Sequence, residues 1–291
     1  MFDAGHQNDR GWTRNWSEGC SGEEYLAIGE FRHVYRSQYY KGPRKNEKCV
    51  WKVFKEAATF GDTFFEKDVL AVKQACQIAT AFNLRNADLP QPRPRVYINV
   101  PEVWTEDGSG RKGLVEPLIA GTYHKFNSNS GWMNSDFLLM QALSHSSFHI
   151  TDGSCLLCDL QGGFCEGVFT LTDPVVLSKG RLYGVTDGGE EAMEQWFANH
   201  RCNQYCDPSW KRLPGKQSRF AVRSSTTFFP QARSRLHAQL LRQSEQALPH
   251  GLIQVHGQFG QGHNDCGGCI PIRLRSIRRE QAIRAKVVEA I

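Results

Sequence analysis

Residues 190–206 read EEAMEQWFANHRCNQYC, and the last seven, HRCNQYC, hold one imidazole and two thiols: His200, Cys202 and Cys206. Those are three ligands of the four that a tetrahedral structural metal takes, and the segment alone leaves the fourth open. The residues from Glu190 onward read as a helix opened by the glycines of YGVTDGG, residues 183–189. A Cys/His cluster on a helix end is the feature from which the rest of the chain is best read.

The chain has 291 residues, 40% of them apolar and 22% charged, an ordinary globular composition with enough length for one large domain or two modest ones. No run of eighteen apolar residues occurs, and the N-terminal MFDAGHQNDRGWTRNW lacks the apolar segment of a signal peptide. The expectation is a soluble, intracellular, cytoplasmic protein with no membrane contact. In such a reducing compartment its ten cysteines read as core residues or metal ligands rather than disulfides. Charge is unevenly spread. Residues 211–291 carry fourteen Lys/Arg against four Asp/Glu, a net +10, beside a net −5 for residues 1–210. The boundary falls at KRLPGKQS, residues 211–218, where Pro214 and Gly215 punctuate the chain.

Along the body, residues 25–55 alternate aromatic or β-branched residues with polar ones around KGPRKNEK, which predicts strands joined by a loop. DTFFEKDVLAVKQACQIATAF follows, with Phe65, Val69, Val72, Cys76 and Ala79 at spacings of four and three, the period of a helix burying one face. RVYINVPEVWT and GLVEPLIAG bracket the turn DGSGRKG and read as a hairpin; DFLLMQALSHSSFH reads as a buried helix, and SCLLCDLQGG as a short apolar strand ending at an acid. There is no internal repeat. The order, strands and a helix, then a hairpin, then a more helical half, predicts an α+β bilobal architecture with a hinge near residues 116–121.

Neither HExxH, GxSxG, a Walker loop, nor the HRD and DFG of conventional protein kinases is present. What remains is distributed. Lys52 lies in VWKVF, where alternation points it to the side of Val50 and Phe54; it needs an anionic partner there, unless it is an edge lysine reaching water. Arg32 follows a glycine in IGEFRHVY, a turn able to lay a guanidinium against phosphate. Asp159 ends CLLCDLQGG, Gln161 stands two residues on, and Asp173 lies in LTDP. These oxygens suit magnesium and a hydroxyl nucleophile, the plain alternative being that Asp173 caps the turn before Pro174.

Taken in order, FNSNSGW (126–132), SHSSFHITDGSCLLCDLQGG (144–163), LTDP (171–174) and GVTDGGEEAMEQWFANHRCNQYC (184–206) closely resemble the alpha-kinases. That family of atypical protein kinases includes the myosin heavy chain kinases and elongation factor 2 kinase. The resemblance runs from about residue 24 to 212. It implies a catalytic domain there, with an N-lobe to about residue 116 and a C-lobe from about 121, between a polar segment 1–23 and a basic extension 213–291. It implies a structural zinc in the C-terminal lobe and supplies the fourth ligand, His145. Cys202 and Cys206, one helical turn apart, would share a face with His200 before them, and His149 would be a decoy. It implies that Lys52 contacts ATP phosphates, Arg32 belongs to the phosphate-covering turn, and Glu116 sits at the hinge beside the nucleoside. Asp159 would orient or deprotonate the acceptor hydroxyl, Gln161 with Asp173 would hold Mg2+, and Gly184 and Gly189 would end the glycine-rich loop. Two departures stand out. FCEGVF lengthens the interval between Asp159 and Asp173, and WMNSDFLLM lacks the arginine with which some relatives read a phosphothreonine.

The implied function is an ATP- and Mg2+-dependent serine/threonine kinase acting on a protein substrate, with a kinase-fold pseudoenzyme scaffold or a nucleic-acid-binding adaptor as alternatives. The basic tail is read as a solvated charge run or a dock for an acidic partner before a nucleic-acid arm. Its His256, His263, Cys266 and Cys269 have ligand spacing, but the surrounding glycines speak for a flexible segment.

Overall fold

The computed structural model describes residues 11–15, 18–29, 31–55, 62–87, 89–91, 93–214, 217–224 and 227, all within one compact unit. The tail from residue 228 on, with its His/Cys quartet and most of its basic charge, lies outside the described residues.

Four strands come first: β1 (Gly11–Asn15), β2 (Glu18–Ile28), β3 (Arg32–Lys41) and β4 (Lys48–Phe54). Helix α1 (Asp62–Ala87) follows, then β5 (Arg95–Ile98), β6 (Glu102–Glu106) and β7 (Lys112–Pro117). Strands β1, β2, β3, β4, β7 and β6 close, in that order, into a barrel. Alternation sorts its residues. Cys49, Trp51 and Val53 of β4 pack inside with Cys20, Tyr39, Trp104 and Val115. Lys52 and Phe54 therefore face out, and Phe54 meets Phe65 of α1 and Leu114 of β7.

The second half comprises β8 (Tyr123–Lys125), α2 (Leu138–Ile150), β9 (Cys155–Cys158), β10 (Gln161–Cys165), β11 (Val168–Leu171), β12 (Val175–Ser178) and α3 (Gly189–Asn199). A four-stranded sheet runs β5-β11-β10-β8, and β12 pairs with β9. Its core joins the later part of α1 (Ala75, Ile78, Ala79, Phe82) to Leu139, Met140 and Leu143 of α2 and to Leu157, Leu160 and Leu171. Helix α1 thus spans both halves. Leu118–Gly121 carries the chain from barrel to sheet.

Three expectations are corrected. The expected hairpin across DGSGRKG forms between β6 and β7, but its RVYI stretch does not join it: β5 pairs in parallel with β11, a partner some seventy residues downstream and beyond any local signal. On α1, Val69 is exposed and Cys76 half-buried, since the helix packs against the barrel at one end and the second core at the other, and its buried stripe shifts between them. Helix α3 ends at Asn199, so Cys202 and Cys206 lie on an irregular segment instead of one helical face. No helix among the described residues is long and apolar enough to cross a membrane.

Candidate active site and metal cluster

Lys52 meets its anions on the outer face of β4. Its Nζ lies 2.6 Å from Glu116 Oε1 and 2.7 Å from Asp173 Oδ2, and it donates to Thr172 Oγ1 at 2.9 Å. The Thr172 hydroxyl in turn donates to Glu116 Oε1 at 2.7 Å. Lys52 and Glu116 are sealed, whereas Asp173 keeps 35% of its side-chain surface open. Burial alone would push the Lys52 ammonium down, but Asp173 and then Glu116 hold it above its ordinary value. Burial pushes the Asp173 carboxyl up, and Lys52 and Arg32 overcome this and hold it below the usual range. Glu116, the more deeply buried of two acids sharing one cation, stays above its usual value because burial outweighs Lys52. Arg32 stacks over Phe54 at 4.5 Å, is ion-paired with Asp68 of α1, and acts electrostatically on Asp173. Two buried atoms in this cleft lack partners among the described residues: Arg32 Nε, a donor, and Glu116 Oε2, an acceptor.

Asp159 and Gln161 flank Leu160 on the turn between β9 and β10, and Asp159 has the left-handed φ of 58°. Lys125 of β8 gathers them, with its Nζ 2.8 Å from Asp159 Oδ2 and 3.3 Å from Gln161 Oε1. The Thr172 amide donates to the Gln161 carbonyl at 3.0 Å, so the LTDP turn and the DLQG turn are adjacent. The FCEGVF insertion is absorbed without disturbing this. It forms the far end of the β10–β11 hairpin, while Gly162 stays opposite Leu171 at the base. Both glycines of LQGG are dictated by packing. A Cβ on Gly162 would lie 2.0 Å from the Thr170 carbonyl oxygen, and one on Gly163 would lie 2.3 Å from that of Ala120.

Gly184 and Gly189 have φ of +98° and +73° and bound the loop leading into α3. Asp187 organises that loop. Fully buried, it accepts from the Ser178 amide (2.8 Å) and hydroxyl (2.6 Å), the Tyr183 amide (3.2 Å) and the Gly189 amide (3.0 Å). Sequence reasoning passed over Lys125, Asp68, Thr172 and Asp187 as site residues. Lys125, Asp68 and Thr172 are ordinary polar residues whose partners are distant in the chain, although Lys125 stands two residues before the NSNSG motif and Thr172 inside LTDP; Asp187 instead binds its own loop, between Ser178 and Gly189.

His145, His200, Cys202 and Cys206 come together, with their ligand atoms all within 4.8 Å of one another. His145 Nδ1 lies 3.7 Å from Cys202 Sγ, and His200 Nε2 lies 3.8 Å from Cys206 Sγ. These approach the edges of about 3.6 Å that tetrahedral Zn–N and Zn–S bonds would give. The other ring nitrogen of His145 faces the Lys211 carbonyl at 3.2 Å, the partner that fixes a ligand imidazole's tautomer. Burial pushes His145 down to about 4 and His200 down to about 3, keeping both rings neutral as a metal requires. His149 lies apart from the cluster, with its Nδ1 accepting from the Lys211 amide at 3.3 Å. The donor set fits zinc.

The fold is that of alpha-kinase domains. An alpha kinase from Entamoeba histolytica superimposes with a TM-score of 0.59 at 21% identity, over 73% of this chain and 85% of that one. The alpha-kinase domain of myosin-II heavy chain kinase A in complex with AMP-PNP gives 0.56 at 18% identity, over 65% and 86%. Beyond the fold, the alpha-kinase family model matches residues 27–206, and the chain belongs to that family. Myosin heavy chain kinase C of Dictyostelium discoideum is 34% identical over 211 residues, covering 69% of this chain and 25% of that protein. Alpha-protein kinase vwkA of the same organism is 26% identical over 206 residues, covering 68% and 31%. The chain thus spans at most about a third of these relatives' lengths. Membership supports a protein kinase, a transferase.

Proposed function

We propose that the chain is an ATP- and Mg2+-dependent protein kinase that phosphorylates serine or threonine hydroxyls of a protein substrate. The observation that carries this reading is the juxtaposition of two networks, Lys52–Glu116–Asp173 and Lys125–Asp159–Gln161, joined through Thr172. Asp159, on a turn and ion-paired to Lys125, orients the acceptor hydroxyl and takes its proton. Lys52 and Arg32 bind nucleotide phosphates. Glu116 Oε2 and Arg32 Nε, without partners among the described residues, would be reached by the adenine and a phosphate only as the cleft opens around them. Gln161 and the open side of Asp173 would hold Mg2+, which when bound neutralises phosphate charge. The loop bounded by Gly184 and Gly189, clamped by Asp187, forms a wall of the site. The four Cys/His residues would hold a structural Zn2+ that fixes α2 to the segment after α3.

Within this reading residues 24–212 are the catalytic domain, residues 1–23 precede it, and the basic extension from 213 on is a dock for an acidic partner. The eight cysteines among the described residues form no disulfides, which suits a reducing, intracellular compartment. Purified protein incubated with radiolabelled ATP and a generic basic protein should label Ser and Thr only with magnesium present. ATP binding without transfer would instead identify a pseudoenzyme scaffold.

A further inference from the structure

The NSNSG segment is absorbed into the fold with its polar side chains buried, yet nothing in the reading above uses them. Asn127 is fully buried and spends every hydrogen-bonding group of its amide. Its Nδ2 donates to Gln141 Oε1 and to Ser144 Oγ of α2, each at 3.0 Å. Its Oδ1 accepts the Leu160 amide at 3.0 Å. The backbone grips the same residue from the other side, since the Leu160 carbonyl accepts the Phe126 amide at 2.8 Å and the Asn127 amide at 3.3 Å. Leu160 is the residue between Asp159 and Gln161. It lies in a turn where no ladder partner supports its N–H, and it immediately follows the left-handed φ of Asp159, a conformation that persists only where its surroundings impose it.

We infer that Asn127 is a positioning residue: it clasps the Leu160 peptide to α2 and thereby holds the Asp159 and Gln161 side chains in register with Lys125 and Thr172. The catalytic part of this inference rests on the kinase reading above, while the structural part does not. Asn suits the role because one short side chain must accept from a turn and donate to a helix at once. Gln141 is held in place to receive it, with its own Nε2 donating to the Phe126 carbonyl at 2.8 Å and the Asn134 carbonyl at 3.1 Å. Nothing in the clasp touches Lys52, Glu116 or Arg32, so with Mg2+ saturating, which offsets a displaced Gln161, loosening it should leave nucleotide binding alone.

The test compares Asn127→Ser, the milder Ser144→Ala, and Leu139→Ala, a core change in the same helix. In the full chain and at saturating Mg2+, Asn127→Ser should lower kcat by about 10- to 100-fold with KM for ATP within about twofold, the scale of loss that a misplaced catalytic group produces. Ser144→Ala should lower kcat less, in the same parameter, and keeps the question open to measurement if Asn127→Ser fails to fold. Leu139→Ala should lower Tm with kcat unchanged. Hydrogen exchange at single-residue resolution gives a reading independent of activity. Both clasp variants should speed exchange at Leu160, Asn127→Ser by about tenfold or more, without speeding it at Leu157, whose amide is held separately by Ser147. Unchanged exchange at Leu160, or a kcat loss that merely follows Tm as in Leu139→Ala, overturns the inference. Faster exchange in both clasp variants, with a wild type that transfers no phosphate, would keep the clasp and refute the kinase reading instead.

Discussion

The cleft and the Cys/His cluster are both polar assemblies set into apolar protein, but they are balanced in different ways. In the cleft, Lys52 and Asp173 are 121 residues apart and neutralise each other directly, with Glu116 and Thr172 completing the network. In the cluster, three groups come from seven consecutive residues and the fourth, His145, from α2; burial pushes the Cys206 thiol up to about 11, and Arg212 approaches Cys202 Sγ only to 4.0 Å, so the four groups do not neutralise one another. One assembly is balanced by its own charges, and the other, on the proposed reading, by a bound metal. Disruption of the cluster should therefore remove the fold, and disruption of the cleft should remove activity.

Cys202→Ala carries the largest expected effect. Structural zinc supplies roughly 10–16 kcal/mol of apparent binding energy, comparable to or larger than the stability of a whole domain. The variant should be insoluble or unfolded, and the wild type should hold close to one equivalent of zinc by metal analysis. A metal-free protein with undiminished Tm would erase the contrast between the two assemblies.

Asp159→Asn is the opposite kind of change. It should lower turnover by about 10²–10⁴ while ATP binding survives, because only the proton acceptor is lost. The Lys125 partner is 28% exposed, so thermal unfolding should shift by less than about 1 kcal/mol. Asp173→Ala should act through ATP and magnesium instead, raising the metal concentration needed for half-maximal rate. Full-rate transfer by Asp159→Asn would reject the site.

Much of this contrast could be read in the sequence, and the unread parts share a cause. Strands β3 and β4, the last residues of β2 and helix α1 show in their local periodicity, α2 shows in its apolar run, and HRCNQYC shows in its spacing, whereas β1 and most of β2 lie in the segment read only as polar. The end of α3 does not show either, since no glycine or proline intervenes before Pro208, yet the backbone turns extended at His200, with a ψ of 132°. The pairing of β5 with β11 and the contact of Lys125 with Asp159 depend on tertiary neighbours for which no spacing rule exists. Lys52 was legible as a lysine needing an anion, but which anions it meets was not. Glu116 and Asp173 were assigned other tasks, the hinge and magnesium, by the family resemblance.

Lys52→Met should sharpen the comparison within the cleft. Removing one partner of a buried network leaves Glu116 enclosed without its cation, a loss of roughly 3–5 kcal/mol. Its sign with pH is specific. Glu116 already sits above its ordinary value through burial, and without Lys52 it would rise further. A carboxyl whose folded pKa is raised destabilises the fold increasingly as pH climbs from its unfolded value through the folded one. Urea unfolding should therefore show the variant's deficit against wild type shrinking as pH is lowered from 7 toward 5. A pH-independent deficit would mean that Glu116 is not what the lysine supports.

The smallest effect is expected at the tip of the β10–β11 hairpin. Cys165 and Val168 close a two-residue turn in which Glu166 and Gly167 both have positive φ, 49° and 76°, the conformation of a type I′ turn. Gly167 adopts it freely, but a glutamate does not, and left-handed backbone costs an ordinary residue about 1–2 kcal/mol where asparagine is tolerated. Glu166→Asn should thus stabilise the protein by up to about 1 kcal/mol, visible as a rise of a few degrees in Tm. Its turnover should not change. The tip lies at the opposite end of the ladder from Gly162 and Leu171, where the hairpin base delivers Thr172 and Asp173 to Gln161 and Lys52. If the inserted residues only lengthen the hairpin beyond a fixed base, relaxing the turn changes stability alone. A shift in magnesium dependence or kcat with this exposed substitution would show that the insertion sets the position of Asp173, and that the cleft is less self-contained than its charge pairing suggests.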